Sequence, residues 1–324
     1  MGRMYMIKIT IPFRLHLNLL AMHSCKYRKY GGLGFSILNN SNYLTAEEYV
    51  ENKITIKGDC NNILRIQKIE NILNDIKEKY KLKNSIKIEL HGYYYFHIGL
   101  GVGTAVTLAC IEALFLCNKI SVEHNKIIEE SKRGGTSGIG INTYFSGGFV
   151  IDIGIKSDNN EHLPSSQKST RSTSNVLARC DFPNWEFGII LPKKRNEISD
   201  INEVEFFKNT CPIPDSEAYF ATYLAIFGTF SSIKESNYEL FCSSINETQN
   251  TFWKKSEITQ SNSNINLINY LNSLKVDCAG MSSFGNSIYF FSRNIRKIET
   301  CLDKDNYNLM TFSACNTGRD IEYV

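Results

Sequence analysis

"IGLGVGTAVTLACIEALFLC", residues 98–117, decides how this chain is read. It is long enough and apolar enough for a membrane span, it opens with the G-x-G-x-G of a dinucleotide fingerprint, and its small residues before a helix suit a phosphate cradle. Glu112 in its middle and three glycines at its start argue against the span. The Rossmann reading fails on context, because "YYYFH" makes a poor central strand and no acidic residue follows at the ribose-binding distance. No G-x-x-x-x-G-K-[ST] occurs, which removes the P-loop class. What remains is a glycine-rich turn opening a helix buried on all sides, whose backbone N–H groups can approach an anion.

Two more small-residue loops recur outward from it, "RGGTSGIG" within "SKRGGTSGIGINTYFSGGFVID" (residues 131–152) and "AGMSSFGNS" (residues 279–287). Singly, each suits a tight turn or a cap as well as an anion site; together they point to a polyphosphate ligand.

The surrounding pattern is α+β. Residues 5–11 alternate as a half-buried strand, with "GGLGFSIL" and "NKITIK" expected as its neighbours. Leu64, Ile66, Ile69, Leu73, Ile76 and Tyr80 recur at helical spacing over 63–80, and "SIKIEL" returns to alternation. A polar helix is expected near 122–131 and a strand in "GGFVIDIG". Residues 156–175, rich in Ser, Asn and Thr, read as a long surface loop that closes an N-terminal lobe, 1–175, carrying the glycine loops. The second lobe, 176–324, is expected to hold a strand in "WEFGIILP", helices near 215–233, 239–253 and 264–274, a strand after "VDCAGMSSFGNS", a helix near 294–303 and a last strand near 308–314.

Composition narrows the function. A net charge of +3 over 324 residues is too small to imply a nucleic-acid partner, so an anionic ligand must be met locally. Ten cysteines without a C-x-x-C pair suggest neither zinc nor a disulfide scaffold, and fit a reducing cytoplasm. Lys8 and Arg14 interrupt any export signal, and Met6 stands where a myristoylation site needs Ser or Thr. A soluble cytoplasmic protein without a membrane segment is expected, with a homodimer as the default assembly.

"IPFRLHLNLL", "GLGVGTAVTLA" and "GMSSFGNSIYF" resemble, in order, the three motifs of the galactokinase, homoserine kinase, mevalonate kinase and phosphomevalonate kinase superfamily. Within it, "RLHLNLL", "HIGLGVGTAVTLA", "RGGTSGIGINTYFSGGFVID", "VLARCDFPNWEFGIILP" and "FCSSINETQ" are similar to the β-ribofuranosylaminobenzene 5′-phosphate synthase family, including its C-nucleoside synthase relatives. The resemblance implies an α+β, two-lobed, small-molecule-kinase-like fold, with a ribosomal-S5-like N-terminal lobe, a ferredoxin-like C-terminal lobe and ligands between them. It implies an enzyme that condenses phosphoribosyl pyrophosphate with an aromatic or heteroaromatic carboxylic acid, releasing pyrophosphate and CO2, with Mg2+ on the pyrophosphate. An ATP-dependent small-molecule kinase and a non-catalytic ligand-binding relative are the competing readings.

Residues follow from the motifs. Superfamily kinases often carry an aspartate in S-G-x-D; here the run is Ser137, Gly138, Ile139, Gly140, so the acceptor base is missing. Gly99, Gly101, Gly103 and Thr104 are expected to form one phosphate cradle, and Arg133, Gly134, Gly135, Thr136, Ser137 and Gly138 the second, with Arg133 offering a fork for phosphate or carboxylate. Arg14 and His16 alternate with Leu15 and Leu17 and are expected to share the cleft face of a strand, as catalytic groups beside Arg133, with a structural histidine bonded to backbone as the alternative for His16. Ser282 and Ser283 are expected to contact the ligand or to cap and turn the chain, and Asp152 and Glu247, which match positions of the family, each to bind magnesium, to order a basic residue or to stand as a solvated or capping carboxylate. Departures from the family at Tyr30, Val102, Ala105 and Ile153 to Ile155 bear on the acceptor more than on the ribosyl donor.

Overall fold

The structure is a computed structural model and describes residues 6–158, 161–164, 174–193 and 200–324. The alternating start forms β1 (Ile7–Thr10), which buries Ile7 and Ile9. It is followed by β2 (Phe13–Ala21), β3 (Arg28–Leu38), β4 (Tyr43–Tyr49) and β5 (Lys53–Cys60). Then come α1 (Ile63–Tyr80), β6 (Ser85–Tyr94), α2 (Val102–Cys117), α3 (His124–Ser131) and α4 (Ile139–Ser146). Strands β7 (Phe149–Asp152), β8 (Ile155–Lys156), β9 (Val176–Cys180) and β10 (Phe187–Pro192) lead to α5 (Asp200–Thr210) and α6 (Asp215–Tyr223). A π-helical stretch, Leu224–Phe230, continues α6 into α7 (Ser231–Lys234), before α8 (Tyr238–Thr248), α9 (Phe252–Ile258) and α10 (Asn262–Ser273). Finally β11 (Cys278–Met281), β12 (Ile288–Phe291), α11 (Ile295–Cys301), β13 (Tyr307–Met310), β14 (Ser313–Ala314) and β15 (Ile321–Tyr323) complete the order.

The strands form three sheets. One runs β15-β1-β4-β6-β5, so the neighbours of β1 are β4 and β15 rather than the two expected segments. "NKITIK" lies at the far edge as β5, parallel to β6, and "GGLGFSIL" belongs to β3 in another sheet. There β3 is the hub: β2 pairs one edge, and β8, β7 and β14 share the other along its length. The third sheet is antiparallel, β11-β12-β10-β13. Phe35 of β3 stacks on Phe182 at 4.0 Å and meets Phe187 of β10 edge-on at 5.5 Å, so the last two sheets share an aromatic core. Pairing crosses the expected lobe boundary: β9 bonds to β7, β14 to β3 and β15 to β1. The stretch 156–175 lies in good part outside the described residues.

Helix α1 buries Ile66, Ile69, Leu73 and Ile76 along one stripe, and Asn62 caps it by accepting from Arg65 N at 3.0 Å. Leu64 falls off that stripe and faces outward. Helix α2 is buried nearly all round, as its composition implies, and its one carboxylate is paired. Arg319 donates to both oxygens of Glu112 at 2.7–3.2 Å, and Tyr144 Oη donates at 2.8 Å. No helix among the described residues is long and apolar enough to cross a membrane. All ten cysteines are free thiols.

Candidate active site

The two internal glycine loops converge. Gly99, Gly101, Gly103 and Thr104 line a cavity of about 430 Å³ together with Gly134, Thr136, Ser137 and Gly140. These residues bring the first turns of α2 and α4 to the same space, each preceded by a glycine at the N-cap, Gly101 and Gly138. Helix N-termini carry partial positive charge, so two of them on one cavity favour a ligand with more than one anionic group, although Gly138 N and Ile139 N at the start of α4 already bond to Asp152 and Ser137.

The third loop locks the first in place. Gly99 has φ +88, and a Cβ on it would stand 2.0 Å from Ser282 O, so only glycine lets these two backbones meet. Ser282 Oγ donates to Gly99 O at 2.8 Å and accepts from His16 N at 3.1 Å. Ser283 N reaches His16 O at 3.3 Å, Arg14 N reaches Leu100 O at 3.0 Å, and the Arg14 guanidinium donates to Gly99 O. Strand β2 thus joins the loops before α2 and after β11 by backbone contacts on both sides.

Arg14 and His16 do share the cavity face of β2, as alternation predicts, and a bulge between His16 and Asn18 shifts the register just beyond them. His16 is buried, and that burial, with the charges of Arg14 and Lys254, pushes its pKa well below the usual histidine range. The imidazole is therefore neutral. Its Nε2 lies 3.2 Å from Ser137 Oγ, which donates to Asp152 Oδ2 at 3.2 Å and accepts from Ile139 N at 3.3 Å. With the hydroxyl proton directed at Asp152, His16 donates through Nε2–H and holds the second loop.

Asp152 organises that loop from beneath. It is fully buried at the end of β7, where its carboxylate accepts from Gly138 N at 3.0 Å, Gly154 N at 2.8 Å, Ser137 Oγ and Ser174 Oγ. Burial raises its pKa to about 6 against the opposing pull of these four donors. Four donors already sit on its oxygens and it is not among the cavity lining, and Glu247 sits exposed on α8, so the structure does not bring these two expected residues together at the cavity. Among the described residues no group of three or more His, Cys, Asp or Glu side chains could hold a metal ion.

The cavity is cationic. Arg133 Nε donates to Thr104 Oγ1 at 3.1 Å, linking the two glycine loops. Arg14 has its pKa lowered to about 10 by burial first, with Glu203 and Glu257 acting to raise it and Arg133 to lower it, and remains charged at neutral pH. Arg65 and Lys68, three residues apart on α1, add two more cations that the sequence reading passed over. Their signal was present in the Asn62 cap, which fixes where α1 begins and so which face these side chains share. Leu19, Phe207 and Phe284 form an apolar wall, with Phe284 packed on Phe206 at 5.0 Å and Phe207 on Trp253 at 5.2 Å. Glu203 and Glu257 are the carboxylates of the lining. Among the other expected residues, Ser283 lines the cavity, whereas Ser282, Gly135 and Gly138 lie behind it as supports.

The chain is 29% identical over 287 residues to the beta-ribofuranosylphenol 5′-phosphate synthase of Methanothermobacter thermautotrophicus, covering 87% of each chain. It is 29% identical over 299 residues to the protein of the same name from Methanocaldococcus jannaschii, covering 87% of this chain and 88% of that one. The chain resembles the beta-ribofuranosylphenol 5′-phosphate synthases. Those relatives are enzymes by name, as was expected of this chain. The fold is shared with homoserine kinase from Cytophaga hutchinsonii, at TM-score 0.65 and 16% identity over 99% of both chains. It is shared too with L. major mevalonate kinase, at TM-score 0.66 and 10% identity over 95% of both. The expected small-molecule-kinase-like α+β fold is thus the one observed. No family model matches the chain.

Proposed function

We propose that this protein is a C-ribosyltransferase that joins phosphoribosyl pyrophosphate to an aromatic or heteroaromatic carboxylic acid. One observation carries the reading: a single cavity combines two helix N-termini and the cations Arg14, Arg65, Lys68 and Arg133 with an apolar wall of Leu19, Phe207 and Phe284. The first set suits the phosphates of the donor, the second a flat ring. The relatives' name, a ribofuranosylphenol 5′-phosphate synthase, supports a hydroxylated ring as acceptor.

The chemistry needs few proton transfers. The ring carbon bearing the carboxylate forms a bond to the anomeric carbon while the bond from that carbon to the pyrophosphate oxygen breaks. The ring–carboxylate bond then breaks, its electron pair restores aromaticity, and CO2 leaves. No base is required at the acceptor, which fits Gly140, where superfamily kinases often carry an aspartate: its nearest side-chain neighbours are Thr104 and Arg14 rather than an acid. Arg14, Arg133 and the α2 N-terminus neutralise the leaving pyrophosphate, and the loop held by His16 and Asp152 grips the remaining phosphate, so positioning and electrostatics supply the rate. Magnesium belongs to the same proposal: Glu203 at the lining and the donor's own phosphate oxygens would hold it, and it would add charge compensation at the pyrophosphate. A cytoplasmic location is part of this proposal as well.

The test is an assay of the purified protein with Mg2+, phosphoribosyl pyrophosphate and a panel of hydroxybenzoic, aminobenzoic and heteroaromatic acids, following pyrophosphate, CO2 and product mass. Acceptor-dependent release of both, with a ribosylated product lacking the carboxyl group, is expected. ATP consumption with some acceptor, and no pyrophosphate from the ribosyl donor, would replace this reading with a kinase.

A further inference from the structure

Glu257 is one of two carboxylates in a cavity that gathers four cationic side chains. It is 3% exposed and lines the space that also holds Arg14, Arg65, Lys68 and Arg133. Facing phosphate oxygens it would oppose binding, yet the fold invests in fixing it there. Lys254, fully buried behind it on α9, donates to Glu257 Oε2 at 2.7 Å and to Met281 O at 3.0 Å. One carboxylate oxygen thereby accepts from Lys254, and Glu257 is still among the residues that line the cavity. Met281 immediately precedes the Ser282–Ser283 turn that meets β2 at His16, so the Lys254 contact ties α9, and Glu257 with it, to the loop that supports β2.

An acceptor-only group among donors selects ligand hydroxyls. In a phosphorylated pentose, the donors that lie between the phosphates are the vicinal hydroxyls of the ring. We propose that Glu257, held by Lys254, binds the ribose hydroxyls of the donor and makes the cavity select ribose over deoxyribose phosphates; this rests on the phosphoribosyl reading above. Neither residue was singled out from the sequence. The i,i+3 spacing of Lys254 and Glu257 is that of an ordinary surface pair, and only tertiary packing buries it.

The test is calorimetric titration of the whole protein with ribose 5-phosphate and with 2-deoxyribose 5-phosphate, in EDTA so that no metal bridges the carboxylate. The wild type is expected to bind the ribose ester about ten- to a hundredfold more tightly, the worth of a charge-assisted hydrogen bond. Glu257→Gln is expected to reduce that ratio to within about threefold, while inorganic phosphate binds at least as tightly as before, since a negative charge leaves the cavity. Because a single change can leave Lys254 buried without its partner, the double variant Lys254→Met/Glu257→Leu is the second arm, and it too should lose the preference. A wild-type protein with no preference, or variants that keep it, overturns the role of Glu257. A wild-type protein that binds neither ester overturns the phosphoribosyl reading itself, and this proposal with it.

Discussion

Replacing Asp152 with asparagine separates what this carboxylate does for stability from what it does for the site. Its oxygens each accept one peptide N–H, Gly154 N on Oδ1 at 2.8 Å and Gly138 N on Oδ2 at 3.0 Å, and each also accepts a serine hydroxyl. Hydroxyls can rotate to donate or accept, but peptide N–H groups cannot. Asparagine has one acceptor oxygen, so whichever way the amide turns, one peptide N–H is left facing an N–H, at a cost of about 1–3 kcal/mol. Against this, a buried carboxyl whose pKa rises from 3.8 to about 6 costs the native state roughly 3 kcal/mol at neutral pH, and asparagine removes that cost. The two effects nearly cancel at pH 7, and global stability is expected to change by less than about 2 kcal/mol.

The pH dependence does not cancel. A carboxyl with a raised native pKa contributes stability that is fully present below its unfolded value and lost as pH rises through about 6. Urea denaturation of both proteins between pH 4 and 7 should therefore give a wild-type minus variant difference that falls by roughly 2.5 kcal/mol across that window, all other groups titrating alike. Turnover should fall at least tenfold in the variant when Gly138 N is the donor left unpaired, because Ser137 and Gly138 open α4 beneath the ligand. A flat stability difference would refute the buried acid, and wild-type kinetics would refute its hold on the loop.

Arg133→Ala is expected to lower kcat/KM by roughly a hundredfold, the loss of a charge-assisted contact of about 3 kcal/mol; wild-type-like kinetics would remove Arg133 from the site. Gly140→Ala should stabilise α4 by about 0.5–1 kcal/mol in thermal denaturation, since the added Cβ would sit at an ordinary 3.7 Å from Thr104 Cγ2. Gly140→Asp, which sets a carboxylate beside Arg14, should weaken pyrophosphate binding at least tenfold by titration calorimetry. Arg319→Met leaves Glu112 buried with Tyr144 as its remaining partner and should cost about 3–5 kcal/mol in urea denaturation, with most of it recovered in the Glu112→Leu/Arg319→Met double variant.

Local pattern made the scaffold legible. The stripe of Ile66, Ile69, Leu73 and Ile76 marked α1, and the all-round apolar run after Gly101 marked α2, because burial repeats at the helix period. The two internal glycine loops were legible as turns that open helices for the same local reason, small residues ahead of a helix. Pairing was not: β1 meets β4 and β15 rather than the nearest-looking strands, since register depends on partners far away in the chain. Asp152 was visible as an acid but not as an internal acceptor, because only the fold brings Gly138, Gly154 and Ser174 around it. Glu257 and Phe207 carried no motif at all, and their place at the cavity exists only once α5 and α9 pack beside β2.

The edge position of β15 has a bearing on how this protein is made. Ile7, Lys8 and Ile9 pair with Tyr323, Glu322 and Ile321, and Arg319 reaches back to Glu112, so the first sheet is finished by residues translated some three hundred positions later. During translation one side of β1 waits with unpaired backbone groups, an edge on which other strands can dock. Contacts of such long sequence separation slow the search for the native state and lengthen that exposure. Pairing of Ile321–Tyr323 with β1 is thus the step that closes the sheet, and a variant cut before Arg319 should leave the β1 edge open and Glu112 without its arginine, and so aggregate more readily than the wild type.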